Sequence, residues 1–168
     1  SYTRFLLIVG LLTLLALRLY RLIFEDRNYY PDFDIDPTPF LGKSLRAAMV
    51  SNNYFPFVSG VSVSVDRLRN GLHDLGHSIQ LLVPRYREAW QDDKSIKRIP
   101  TLMAFGEKGE FRLTNPFSVR FRHCLRAFKP DLIHVHHPFW LGSMGLLMGR
   151  RLKVPVVYTY HTRLEHYA

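Results

Sequence analysis

The chain has 168 residues, 47% of them apolar, one cysteine and a formal net charge of +9 with a pI near 9.9. That size and apolar content fit one ordinary domain with a sizeable core plus a tail, and exclude a wholly disordered chain. A lone cysteine excludes an intrachain disulfide framework, and the basic balance favours anionic partners: nucleotide phosphates, an anionic membrane surface or nucleic acid. Nucleic acid comes last, since the sequence carries no RNP-like, zinc-finger or basic-zipper pattern.

Phe5 to Leu17 is an unbroken apolar run, continued around Arg18 and Arg21 to Phe24. As a helix it spans roughly 30 Å, about one hydrocarbon core. A membrane-anchor helix is the leading reading; an interfacial helix and a cleaved signal peptide are the alternatives. Arg18, Arg21 and Arg27 follow the run while only Arg4 precedes it, so the positive-inside rule puts the following domain on the cytoplasmic side. Residues 1–24 are therefore read as the anchor, 25–44 as a Pro- and Asp-rich linker, and 45–168 as the folded domain. Asp34 and Asp36 match an Asp-x-Asp metal pattern but sit in the linker, and are read as a solvated acidic loop.

Leu45 to Ser51 is the first expected core strand, followed by a loop through Gly60. From Val61 the apolar residues Val65, Leu68, Leu72 and Leu75 fall at helical spacing, and Gly76 is the stop. Ser78 to Pro84 is the second strand. Arg85 to Lys97 reads as charged loop, with a short strand expected around Ile99. Phe117 to Phe128 reads as a basic helix carrying Arg120, Arg122, Arg126 and a structural thiol, Cys124. Asp131 to His136 and Val156 to Tyr160 are two further strands with a helix, Leu141 to Leu152, between them.

Continuous Val/Ile/Leu runs suit strands buried on both faces of a parallel sheet, and their alternation with helices predicts an α/β, Rossmann-like domain with helices on both faces. Ligands bind such sheets at the carboxyl edge, where this chain places histidines. There is no G-x-G-x-x-G or Walker fingerprint; only Gly60 stands where a helix N-terminus would meet a phosphate. His134, His136 and His137 read as cleft-lining polar residues, with buried structural histidines or a zinc cluster as alternatives. His77, at a helix stop, reads as structural.

Asn53-Tyr-Phe-Pro-Phe-Val-Ser-Gly-Val-Ser, Leu72-x-x-Leu-Gly-His77, Pro130-Asp-Leu-Ile-His-Val-His-His-Pro and Tyr158-Thr-Tyr-His161-Thr162 occur in this order. Together they resemble the N-terminal half of retaining glycosyltransferases of family 4, closest to glycolipid-synthesising members. The resemblance covers Leu45 to Ala168. It implies a GT-B architecture of two Rossmann-like domains facing across a cleft, of which this chain is the acceptor side and lacks the C-terminal donor domain, as a piece of a longer protein. It implies transfer of a sugar from a nucleotide-sugar donor to a lipid or saccharide acceptor at the membrane, with no cofactor and no metal. Residue by residue, it makes His161 the active-site histidine, places Ser59 and Gly60 against the donor diphosphate, and Tyr54 beside the acceptor. His136, His137 and Glu165 join the acceptor side. Where family members often carry Gly-Gly, this chain has Ser59-Gly60. Two further readings compete with the enzyme: a non-catalytic membrane-tethered acceptor- or partner-binding module, and, more distantly, a zinc hydrolase on the clustered histidines.

Overall fold

The computed structural model describes residues 2–24, 36, 38, 41–88, 90–106, 111–115 and 118–161. The expectations for most of the linker, for Asp34, for Phe117 and for Thr162 to Ala168, with Glu165 among them, lie outside these residues. The chain divides into two compact units, Ser1–Leu41 and Gly42–Ala168.

In the first unit, helix α1 runs over Tyr2–Phe24. Its stretch Tyr2–Tyr20 has a mean hydropathy of 1.8 and none of it is buried, so by length and composition it can cross a membrane. Asp36 is exposed and its carboxylate accepts the Thr38 N–H at 2.9 Å; hydrogen bonding from the Thr38 side chain, then from this N–H, holds its pKa below the usual carboxylate range. It closes a local turn.

The second unit is built on strand β1 (Arg46–Val50), helix α2 (Gly60–Asp74), strands β2 (Ser78–Pro84) and β3 (Ile96–Ile99), strands β4 (Thr101–Phe105) and β5 (Phe111–Thr114), helix α3 (Val119–Phe128), strand β6 (Leu132–Val135), helix α4 (Leu141–Leu152) and strand β7 (Val156–Tyr158). Five strands form a parallel sheet in the order β3-β2-β1-β6-β7. This is the Rossmann arrangement, in which the chain winds outward on one side of β1, crosses over, and winds outward on the other.

Both faces of the sheet are covered, as the apolar strand runs predict. Met49, Leu81, Val83 and Ile79 pack with Val65 and Leu72 of α2 on one face. Ala48, Val50, Leu82, Ile133 and Val135 pack with Phe121 and Leu125 of α3 and Leu141, Met144 and Met148 of α4 on the other. Cys124 lies against the same cluster, in keeping with a structural thiol.

The helix caps explain the boundaries. Ser59 caps α2 and Ser118 caps α3, each side chain accepting an N–H three residues on. Leu75 closes α2 and Gly76 leaves it at φ +87, as expected of a glycine stop. Helix α4 begins at Leu141 and ends at Leu152, the expected bounds.

The charged segment after β2 departs from expectation. Besides the strand at Ile99, it carries an antiparallel hairpin, β4 paired with β5, outside the main sheet. Leu102 to Phe105 are all exposed, so there is no buried-exposed alternation for a sequence reading to find.

Glycine sets how closely α4 approaches the sheet. A Cβ built on Gly142 would lie 1.6 Å from the His137 carbonyl oxygen, and one on Gly149 would lie 2.2 Å from a Val156 methyl. Neither leaves room for a side chain.

Candidate functional site

The winding direction of the sheet reverses between β1 and β6, where Met49 pairs with His134 and Val50 with Val135. Crevices for ligands form beyond the carboxyl ends of strands at such a switch point. The residues that leave the two strands there are Ser51, Asn52, His136 and His137.

The His136 N–H extends the ladder to the Val50 carbonyl at 3.0 Å, which fixes the backbone before the loop departs. Next to it, the Asn52 N–H donates to His137 Nδ1 at 3.2 Å, so that nitrogen carries no proton. The Asn52 side chain joins the loop to the helix: its amide donates to the Phe139 carbonyl at 3.0 Å, and its Oδ1 accepts the Leu141 N–H at 3.2 Å. Asn52 thereby does the capping that Trp140, at φ 54 and with no side-chain cap of its own, does not do for α4.

Four imidazoles gather at this edge. His134 Nε2 lies 2.7 Å from Thr159 Oγ1, and its ring centroid is 4.2 Å from that of His136. His136 Nδ1 meets His161 Nε2 at 2.9 Å, and the His137 and His161 ring centroids are 6.4 Å apart. His136 is 2% exposed, and its Nε2 is buried with no hydrogen-bond partner among the described residues. His161 is half-buried.

Burial, with mutual repulsion adding to it, pushes His136 down to about 3 and His137 to about 4; burial also lowers His134 and His161. The cluster is therefore neutral at pH 7. It offers hydrogen bonds rather than positive charge, and since His136 and His161 share one proton between Nδ1 and Nε2, each sets the other's tautomer.

The same depression carries a stability consequence. Unfolded histidine titrates near 6.5, so below that pH the unfolded chain binds protons that the folded one refuses. The stabilisation is complete above about 6.5 and is lost as pH falls towards 4 and then 3. Asp93, held at about 2 by hydrogen bonds from Ser95 and Arg69 despite its desolvation, contributes its loss only below the ordinary carboxylate range. Urea midpoints of the protein are expected to fall between pH 6.5 and 4, and less steeply in His137→Asn. A midpoint flat across that window would contradict neutral, desolvated histidines.

The other expected site residues divide. Ser59 Oγ accepts the Ser62 N–H at 3.1 Å and lies 2.9 Å from Ser62 Oγ, so it is committed to the helix cap. Gly60 opens α2 and is exposed; a Cβ there meets nothing within 4 Å, so packing does not demand a glycine. The Gly60 and Val61 N–H groups precede the first intrahelical bond, at the positive end of the helix dipole.

Tyr54, expected beside the acceptor, is held in the core. It is 1% exposed, a member of the core beneath α2, and its hydroxyl donates to the Asp66 carboxylate. Burial, then that hydrogen bond, keeps the phenol protonated well above its usual range. The core takes the apolar ring while Asp66 satisfies the hydroxyl. His77 accepts the Leu45 N–H through Nδ1 at 3.2 Å, a structural role as read from the sequence. Among the described residues no group of three His, Cys, Asp or Glu converges at metal-ligand spacing. Asn52 and Thr159 were not singled out by the sequence; an amide directly after an apolar strand was the available signal.

The family model for Glycosyltransferase Family 4 matches residues 58–168. The chain belongs to this family. Relatives within and around it include an alpha-monoglucosyldiacylglycerol synthase of Acholeplasma laidlawii, 35% identical over 126 residues, which covers 73% of this chain and 31% of the relative. A GDP-mannose-dependent alpha-mannosyltransferase of Mycobacterium tuberculosis is 33% identical over 130 residues, 74% of this chain and 34% of the relative. A GDP-mannose-dependent alpha-(1-6)-phosphatidylinositol dimannoside mannosyltransferase of Mycobacterium tuberculosis is 33% identical over 127 residues, 74% of this chain and 32% of the relative. The chain thus spans about a third of the length of these family members.

Proposed function

We infer that the full-length protein transfers a sugar from a nucleotide-sugar to a lipid or saccharide acceptor at a membrane, with retention of anomeric configuration. In this reaction the bond from the anomeric carbon to the diphosphate breaks, a bond from that carbon to the acceptor oxygen forms, the acceptor hydroxyl gives up its proton, and a nucleoside diphosphate leaves. The observation that carries the reading is the pairing of His161 with buried His136 at the switch point of a family 4 domain. A neutral, oriented imidazole suits hydrogen bonding to sugar hydroxyls and to charge developing at the breaking bond. The first turn of α2 at Gly60 suits the diphosphate, and His137 lies on the acceptor side. The remaining donor contacts belong to a second domain of the same protein.

The apolar stretch of α1 and the names of the relatives, which include synthases and transferases of glycolipids, support action at a membrane. Arg18, Arg21 and Arg27 after the apolar stretch support a catalytic domain on the cytoplasmic side. The reaction needs no metal in this reading, since dipole and N–H groups meet the diphosphate.

The test is the full-length protein in neutral detergent micelles containing diacylglycerol or monoglucosyldiacylglycerol, with labelled UDP-glucose and GDP-mannose offered separately. The expected outcome is one labelled glycolipid whose anomeric proton coupling matches the donor's configuration, with equimolar nucleoside diphosphate. No transfer from either donor to either acceptor, by a folded protein that binds the lipid, would favour the non-catalytic module instead.

A further inference from the structure

On the β2–β3 side of the sheet, the loop after β2 and the hairpin enclose a cleft of about 270 Å³. It is lined by Arg85, Tyr86 and Arg87 from the loop, by Leu102 and Met103 of β4, and by Arg112 of β5. Arg112 is 9% exposed and its guanidinium carbon lies 4.7 Å from the centroid of the buried Tyr86 ring. Its Nε is buried with no hydrogen-bond partner, and no carboxylate forms an ion pair with it, among the described residues. Arg98, which also approaches Tyr86, differs: Asp92 holds it through two bonds of 2.7 Å. Glu88 acts on Tyr86 electrostatically but does not line the cleft.

A guanidinium cannot shed its charge, and burying one without an anion is costly. Stacking on Tyr86 offsets part of that cost, and among the described residues nothing takes the Nε–H. Two further arginines line the same cleft, on the exposed side. Beside them, Leu102 and Met103 are 64% and 58% exposed, an apolar margin next to a cationic floor.

We propose that Arg112, with Arg85 and Arg87, forms a binding site for a phosphate monoester or diester. The fork of Arg112 takes two phosphate oxygens, Arg85 and Arg87 neutralise the outer charge, and any apolar part of the ligand lies over Leu102 and Met103. The site does not depend on the transferase reading.

The experiment uses the full chain in neutral maltoside micelles and follows arginine Nε–H signals in ¹H–¹⁵N spectra. Inorganic phosphate is the first probe, with chloride at equal ionic strength as the control, and micelles doped with phosphatidylglycerol are the second. Phosphate is expected to shift the Arg112 signal saturably, and Arg112→Gln to weaken binding tenfold or more. If Arg112→Gln fails to fold, the exposed Arg87→Gln serves, with an expected loss of several-fold. Tighter binding of the doped micelle than of inorganic phosphate assigns the phosphate to a lipid headgroup; equal or weaker binding assigns it to a soluble phosphate. A shift produced equally by chloride, no shift with either probe, or unchanged affinity in folded Arg87→Gln and Arg112→Gln overturns the site.

Discussion

Replacing His161 with alanine in the full-length protein is expected to lower kcat/KM for sugar transfer by roughly 10²- to 10³-fold, the scale for losing one preorganised hydrogen-bond donor at developing charge. Most of the loss should fall in kcat, because the bond strengthens in the transition state. The fold should survive, since His161 is half-buried and follows the last residue pair of the sheet. Its Nε2 is engaged by His136, which leaves Nδ1 as the nitrogen for a ligand. His161→Asn, whose amide replaces the Nδ1 position, should therefore recover more activity than His161→Gln, whose amide replaces Nε2. Initial rates with labelled donor decide the matter. Activity of His161→Ala equal to that of the native enzyme would remove this residue from the chemistry, and a Gln variant better than Asn would reverse the assignment of nitrogens.

Gly142→Ala should cost about 3 kcal/mol or more of folding stability, a drop of roughly 10 °C in Tm, because a backbone oxygen rather than a flexible side chain stands in the way. With the new Cβ only 1.6 Å from the His137 carbonyl oxygen, either α4 must lift from the sheet or the histidine loop must move. Either movement breaks the Asn52 bonds to Phe139 and Leu141. The control is Gly60→Ala, where the Cβ meets nothing within 4 Å and the stability change should stay within about 0.5 kcal/mol. Urea unfolding followed by circular dichroism reads both. A Gly142→Ala protein as stable as its parent would mean that α4 does not pack this closely. If Gly60→Ala is equally stable yet slower in transfer, the first turn of α2 has a role in binding rather than packing.

The sheet strands and their helices were legible because their signals are local. The apolar run of Ser78–Pro84 is buried over most of its length, and the helical spacing of α4 follows from the residues it buries. Histidines at strand ends were legible for the same reason: a polar residue that closes an apolar run marks the sheet's carboxyl edge. The hairpin was not, since an exposed β4 leaves no alternation to read. The burial of Tyr54 was not legible either, because nothing near it in sequence shows that Asp66, twelve residues on in α2, takes its hydroxyl.

What the sequence by itself determined, then, is the order of the sheet strands and their helices, the glycine stop of α2 and the family. Only the tertiary structure decided which histidines meet. His136 and His161 lie 25 residues apart and come from the ends of two neighbouring parallel strands, so their contact depends on the register of β6 against β7. That Arg112 meets no carboxylate among the described residues was likewise invisible before folding, because whether a cation finds an anion depends on which surfaces the chain brings together. Burial and pairing are properties of the assembled layers, and no stretch of residues carries them alone.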